Sequence, residues 1–254
     1  MSVDLNWTAQ GDGKPVVLLH PIGLDGSCWN DVAKRLSSKR KLIQVDLRGH
    51  GLSPVCPRTT SLADHADDVA NLMTKLGISP CPVVGVSFGG MVATKLAINH
   101  SELVSTIVVS ACPSAIPDKA RDALRARGDD AAQNGMAAIV PSTLERWFTV
   151  DFRNSSKVAP FRKRLLDDDP LTWRDSWHAI AAMDFSAQLG DISLPVYCIH
   201  AEKDLGASYE ALAATANGVQ NGWLDVIHDA PHMVHIERPD EFSALVRQHL
   251  EHHP

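Results

Sequence analysis

Residues 83–90 read VVGVSFGG, which sets Ser87 between Gly85 and Gly89 at the spacing G-x-S-x-G. A serine hydroxyl is a weak nucleophile, so it attacks a carbonyl only when a base takes its proton and an acid orients that base. Two later segments carry those residue types: HAEKD holds Asp204, and DAPHMVH holds His232. The chemistry this set would perform is acyl transfer, with the residues in the chain order serine, aspartate, histidine. Taken alone, Ser87 also fits a helix N-cap in a glycine-rich turn. The segment GVSFGG does not fit G-x-G-x-x-G, so dinucleotide binding is not indicated.

These residues need elements to position them. PVVLLH (15–20), KLIQVDL (41–47), PVVGV (82–86), VSTIVVS (104–110), PVYCIH (195–200) and WLDVIH (223–228) are short apolar runs bounded by polar, Gly or Pro residues, as buried parallel strands are. Leu62, His65, Val69, Leu72, Met73 and Leu76 recur at helical spacing between two of them, and Phe242, Leu245, Val246 and Leu250 do so at the end. Strand and helix alternate, which predicts an α/β fold with a mostly parallel sheet covered by helices on both faces. From 113 to 190 the alternation stops. The segments DKARDALRARGDDAAQNGMAAI, STLERWF, KVAPFRKRLLDDD and PLTWRDSWHAIAAM all look helical, so 1–112 and 191–254 are expected to form the core and 113–190 a helical lid inserted over one end of the sheet.

In that arrangement Ser87 leaves a strand and opens a helix carrying Met91, Val92 and Leu96. A strand that becomes a helix within about two residues forces the intervening residue into a strained conformation and needs small neighbours. Asp204 and His232 each fall in a loop after a strand, at the same edge of the sheet as Ser87. Rivals are present. Glu202 lies two residues closer to its strand than Asp204, and His228 and His235 flank His232. The H-x3-H-x2-H spacing of HDAPHMVH could suggest a metal, but Pro231 breaks the helix that would align such ligands and no carboxylate-rich motif accompanies it, so no metal site is expected. His65, His100 and His178 read as packing or helix-surface residues.

Composition bounds the partners. The 254 residues carry a formal net charge of −6 and no dense basic stripe, which argues against nucleic acid. No uncharged run approaches the roughly 18 residues of a membrane span, and the first residues lack the pattern of an export signal. Five scattered cysteines, Cys28, Cys56, Cys81, Cys112 and Cys198, without C-x-x-C spacing suggest neither a disulfide framework nor zinc; a reducing cytoplasm fits.

Five segments in order, LLHPIGLDGSCW, VDLRGHGLS, VVGVSFGG, HAEKD and APHMVHIERPDEF, resemble the signatures of the α/β-hydrolase superfamily along nearly the whole chain. The resemblance implies a nucleophile, acid and base at Ser87, Asp204 and His232, with an oxyanion hole from the backbone N–H groups of Ile22 and Phe88 and no cofactor. Two departures from the usual pattern occur, Pro21 and Pro231, each where most members have glycine. Asp46, Arg48 and Gly49 are taken as bracing residues. Within the superfamily, STLERWFTVDF and SWHAIAAMDFSAQLGDISLPVYCIHAEKD are most similar to 3-oxoadipate enol-lactonases. That implies a small ester or lactone as substrate, with Trp147 and Arg146 in the substrate pocket, and Trp173 and Trp177 are expected to glue lid to core. Alternatives in the same frame are another esterase or lactonase, including one for acyl-homoserine lactones, a C–C bond hydrolase of ring-cleavage products, and a cofactor-free haloperoxidase or perhydrolase. A noncatalytic receptor on the same fold is the alternative of a different class.

Overall fold

The computed structural model describes residues 2–55 and 61–253. Seven strands, β1 (Trp7–Gln10), β2 (Lys14–Leu19), β3 (Arg40–Val45), β4 (Cys81–Val86), β5 (Val104–Ser110), β6 (Pro195–Ala201) and β7 (Asn221–Ile227), form one sheet in the order β1-β3-β2-β4-β5-β6-β7. All neighbouring pairs are parallel except β1 with β3. The six strands anticipated from apolar runs are present. The edge strand β1 was not anticipated, because its four residues are mostly exposed and carry no apolar run.

Helices α1 (Asn30–Leu36), α2 (Leu62–Leu76) and α3 (Phe88–Asn99) connect the early strands. Val16 to Leu19 on β2 and every residue of β4 are buried, since helices cover both faces of the sheet. Burying each such aliphatic side chain contributes on the order of 1.5–3 kcal/mol. The loop after β3 is braced by charge. Asp46 Oδ1 accepts from the Gly26 N–H at 2.7 Å, and its Oδ2 accepts from Asn6 Nδ2 at 2.8 Å and the Leu52 N–H at 2.9 Å. Arg48 pairs with Asp68 of α2 at 2.5 Å, both side chains almost wholly buried. Cys56 lies outside the described residues; Cys28, Cys81, Cys112 and Cys198 are buried free thiols. Burial pushes Cys81 and Cys198 up to about 12, so they act as small apolar residues.

Between β5 and β6 the chain runs through α4 (Asp118–Asn134), α5 (Met136–Trp147), α6 (Val150–Asn154), α7 (Ala159–Leu166) and α8 (Pro170–Ala181). The two passages between this insertion and the sheet are tied together: the Ile116 N–H donates to Met183 O at 3.1 Å and the Phe185 N–H to Ser114 O at 2.8 Å. The helix boundaries differ from the sequence expectation. Gly135, at φ 80°, ends α4, and α5 then joins GMAAI to STLERW straight through Pro141. Proline removes one main-chain donor from that helix; the buried face of Met136, Ile139, Val140, Thr143, Leu144 and Trp147 holds it together. The chain closes with α9 (Tyr209–Gly218), α10 (Val234–Glu237) and α11 (Pro239–His252). No helix among the described residues is long and apolar enough to cross a membrane.

Candidate active site

Ser87 sits between the last residue of β4 and the first of α3, with φ 53° and ψ −119°. A non-glycine residue there stores on the order of 1–3 kcal/mol of strain. The turn is held by the Ser87 N–H donating to Ser110 O on β5 at 2.8 Å and by the Met91 N–H donating to Ser87 O at 3.0 Å. It also needs close backbone approach. A Cβ on Gly89 would stand 2.1 Å from Leu19 O, and one on Gly85 would stand 2.3 Å from Gly89 O, so a side chain at either position would push the helix off the sheet.

Asp204 and His232 reach the same point from the loops after β6 and β7. His232 Nδ1 lies 2.7 Å from Asp204 Oδ1, and His232 Nε2 lies 3.0 Å from Ser87 Oγ. Burial works to raise the Asp204 carboxyl, but the charge of His232, its hydrogen bond and the N–H groups of Gly206 and Ala207 outweigh it and hold the group below the usual carboxylate range. An ionised Asp204 accepts only, which assigns the proton of neutral His232 to Nδ1 and leaves the Nε2 lone pair for the Ser87 hydroxyl. The loop bearing His232 is anchored from the insertion. The Met233 N–H donates to Trp147 O at 3.1 Å, and the Thr149 N–H donates to Glu237 of α10 at 3.0 Å. Neither tie was visible in the sequence, where these residues are about 90 positions apart.

The rivals are engaged elsewhere. Glu202 accepts from the Asp229 N–H at 2.9 Å and faces His228 at 3.3 Å, near the surface. His235 is fully buried with its ring centroid 4.5 Å from that of Trp29, and burial pushes it down to about 3. The three histidines of HDAPHMVH therefore occupy three different environments. His65 is buried edge-on against Phe88, while His100 and His178 face Asp67 and Asp129.

Ile22 lies in the loop after β2, and Phe88 follows Ser87 at the first position of α3. Among the described residues, neither N–H donates to a protein acceptor. His20 fixes the first of these loops. Its Nδ1–H donates to Pro21 O at 2.7 Å while its Nε2 accepts from the Leu47 N–H at 2.9 Å. Its burial lowers its pKa far below the usual value, consistent with a neutral ring.

Above Ser87 and His232 lies a cavity of about 410 Å³. Its walls are mainly apolar: Met91, Ile139 and Ile180 with Trp147, Trp173 and Trp177. Trp147 and Arg146 are among the residues that line it. Trp173 and Trp177, expected as glue, line it as well; Trp173 also rests on Gly23 of the loop after β2 and so does both. Arg127 lines it too, and the sequence did not single it out among the arginines of α4.

Over 247 residues, covering 96% of this chain and 91% of the relative, the sequence is 28% identical to 3-oxoadipate enol-lactonase 1 of Acinetobacter baylyi. Over 248 residues, covering 95% and 96%, it is 27% identical to a pimeloyl-[acyl-carrier protein] methyl ester esterase of Chromobacterium violaceum. The fold superposes on the enol-lactonase from Burkholderia xenovorans with a TM-score of 0.91 at 26% identity, covering 97% of this chain and 96% of that one. The alpha/beta hydrolase family model matches residues 16–245, so the chain belongs to the alpha/beta hydrolase family.

Proposed function

We propose that the chain hydrolyses a small ester or lactone through an acyl-serine intermediate. The observation that carries this reading is the unbroken hydrogen-bonded line Asp204, His232, Ser87 at the floor of an apolar cavity. Ser87 Oγ attacks the carbonyl carbon as its proton passes to His232 Nε2, and the Ile22 and Phe88 N–H groups hold the resulting oxyanion. His232 then gives that proton to the departing oxygen, leaving the acyl group on Ser87. Water, deprotonated by His232, attacks the acyl carbon, and the proton returns to Ser87 Oγ as the acid leaves. In a lactone the departing oxygen stays tethered, so a single ring-opened hydroxy acid, or its keto form from an enol, is released. Asp204 keeps the imidazole in the required tautomer and stabilises it while charged.

For the substrate, similarity to the Acinetobacter and Burkholderia enol-lactonases over nearly whole chains supports the enol-lactone of 3-oxoadipate, and with it a place in aromatic catabolism. The nearly equal identity to the Chromobacterium esterase supports a linear methyl ester as a second reading. In either case the helices of 113–190 act as the lid that closes the acyl pocket. The four unpaired cysteines support the reading of a reducing cytoplasm.

Turnover of the enol-lactone beside a panel of linear esters tests the substrate. Trp147→Ala sharpens the test. The ring lines the cavity, whereas the tie to Met233 uses only its carbonyl and survives the substitution. We expect kcat/KM for the enol-lactone to fall by about a hundredfold while 4-nitrophenyl acetate, too small to fill the pocket, loses less than about tenfold. Truncating a buried tryptophan costs about 3–5 kcal/mol of stability, so Tm is measured alongside. Equal losses on both substrates would make Trp147 a support of the lid alone. No turnover of the enol-lactone by the unaltered protein would remove that substrate.

A further inference from the structure

The loop that carries Ile22 is gripped from two sides. On the core side, Pro21 O accepts from the His20 Nδ1–H at 2.7 Å and from the Leu24 N–H at 3.3 Å, closing a four-residue turn with Gly23 at φ 71°. On the other side stands the insertion. A Cβ on Gly23 would lie 2.6 Å from Trp173 Cζ3 and 2.7 Å from Leu165 Cδ2, so the start of α8 and the end of α7 press directly on that turn. Both side chains are almost wholly buried, and the Trp173 Nε1–H donates to Arg127 O of α4 at 3.4 Å, which leaves the ring little room to move. Two residues beyond Gly23, Asp25 Oδ2 lies 3.2 Å from Arg164 Nε, and Arg164 Nη2 donates to the buried Asp168 Oδ1 at 2.7 Å. The Trp173 ring also faces the cavity above Ser87.

A donor for an oxyanion is useful only if its direction is fixed before the charge develops. A turn built on glycine is soft, and misplacement by about 1 Å can cost about a hundredfold in rate. We infer that Trp173, backed by the Arg164 tie to Asp25, is a positioning residue: it fixes the direction of the Ile22 N–H and makes that donor depend on how the insertion is seated. This rests on the proposed hydrolase reading, which gives the Ile22 N–H its role, and it adds the residue that holds the donor in place. A pocket wall and a clamp have different kinetic consequences. An oxyanion forms with every ester, in acylation and again in deacylation, so a loosened donor lowers kcat whatever the acyl group. The loss of a wall grows with the length of the acyl chain.

The test compares 4-nitrophenyl acetate with 4-nitrophenyl hexanoate. Trp173→Ala should lower kcat by at least about tenfold on both esters, with KM for the acetate within about threefold of wild type. The ketone 1,1,1-trifluoro-2-octanone, which becomes an oxyanion when Ser87 Oγ adds to its carbonyl carbon, should lose at least about tenfold more affinity than 2-octanol, which forms none. Arg164→Gln, outside the cavity lining, carries the same test should Trp173→Ala fail to fold. There kcat on both esters should fall at least about threefold at unchanged KM, with Arg164→Lys between. Exchange of the Leu24 N–H, which closes the turn, gives a readout without turnover: it should quicken by at least about tenfold in either variant while β2 stays protected. If no ester is hydrolysed but that exchange quickens, the hydrolase reading falls and the clamp stands. Losses that grow with acyl length, or unchanged exchange with equal penalties on ketone and alcohol, would overturn the clamp.

Discussion

Ser87→Ala is expected to lower kcat for any ester the protein hydrolyses by at least about a thousandfold while leaving Tm nearly unchanged. Removing the nucleophile of such a set commonly costs more than this, the residual rate coming from the oxyanion donors and binding. Stability should hold because the substitution keeps the Cβ, hence the same strain at φ 53°, and keeps the main-chain bond to Ser110 O; only the bond from Oγ to His232 is lost. His232→Ala should match it in kcat, because the base and the nucleophile act as a unit. The comparison is steady-state hydrolysis of 4-nitrophenyl esters with circular dichroism melts of the same samples. Retention of more than about a hundredth of the wild-type rate in Ser87→Ala would place the chemistry elsewhere.

Asp204→Asn should lower kcat by about 10³–10⁴ and Glu202→Gln by less than about twofold. The asparagine is nearly isosteric but offers an N–H where His232 Nδ1 needs an acceptor, which favours the tautomer that turns a proton toward Ser87. Glu202, two residues away in the same loop, meets His228 and the Asp229 N–H, with its side chain about half exposed. Its surface pair with His228 contributes little. The two variants measured on one ester decide between the carboxylates, and the reverse ranking would transfer the role to Glu202.

These expectations rest on features of unequal visibility in the sequence. The elbow was legible because its requirement is local: a strand, a residue at positive φ and glycines at fixed offsets leave a mark within seven residues. The strand before Asp204 was legible because burial on both faces demands an unbroken apolar run, β6 being buried at all but its first residue; β7, before His232, is a partly exposed edge strand and was read from Trp223, Leu224, Val226 and Ile227. Strand β1 left no such mark, being an exposed edge of four residues fixed by pairing with β3. The walls of the cavity were only half legible. A helix gives each residue a direction, but the direction that faces Ser87 depends on how α4, α5 and α8 cross. Arg127 therefore could not be told from Arg121 or Arg125, and the pocket face of Trp173 could not be told from its packing face. The tie from Met233 to Trp147 O joins main-chain groups and is indifferent to side-chain identity, so no residue type announces it.

Ser87 is expected to become covalently acylated, with His232 as its base. Reaction with a fluorophosphonate ester, followed by peptide mass spectrometry, reads this directly, because phosphorus takes the place of the acyl carbon and the adduct does not hydrolyse on the time scale of turnover. One adduct per chain is expected, confined to the peptide containing Ser87 and formed in step with loss of esterase activity. It should be absent in Ser87→Ala and slowed by at least about a hundredfold in His232→Ala. An adduct on another residue, equal labelling of Ser87→Ala, or full inactivation with Ser87 unmodified would contradict it.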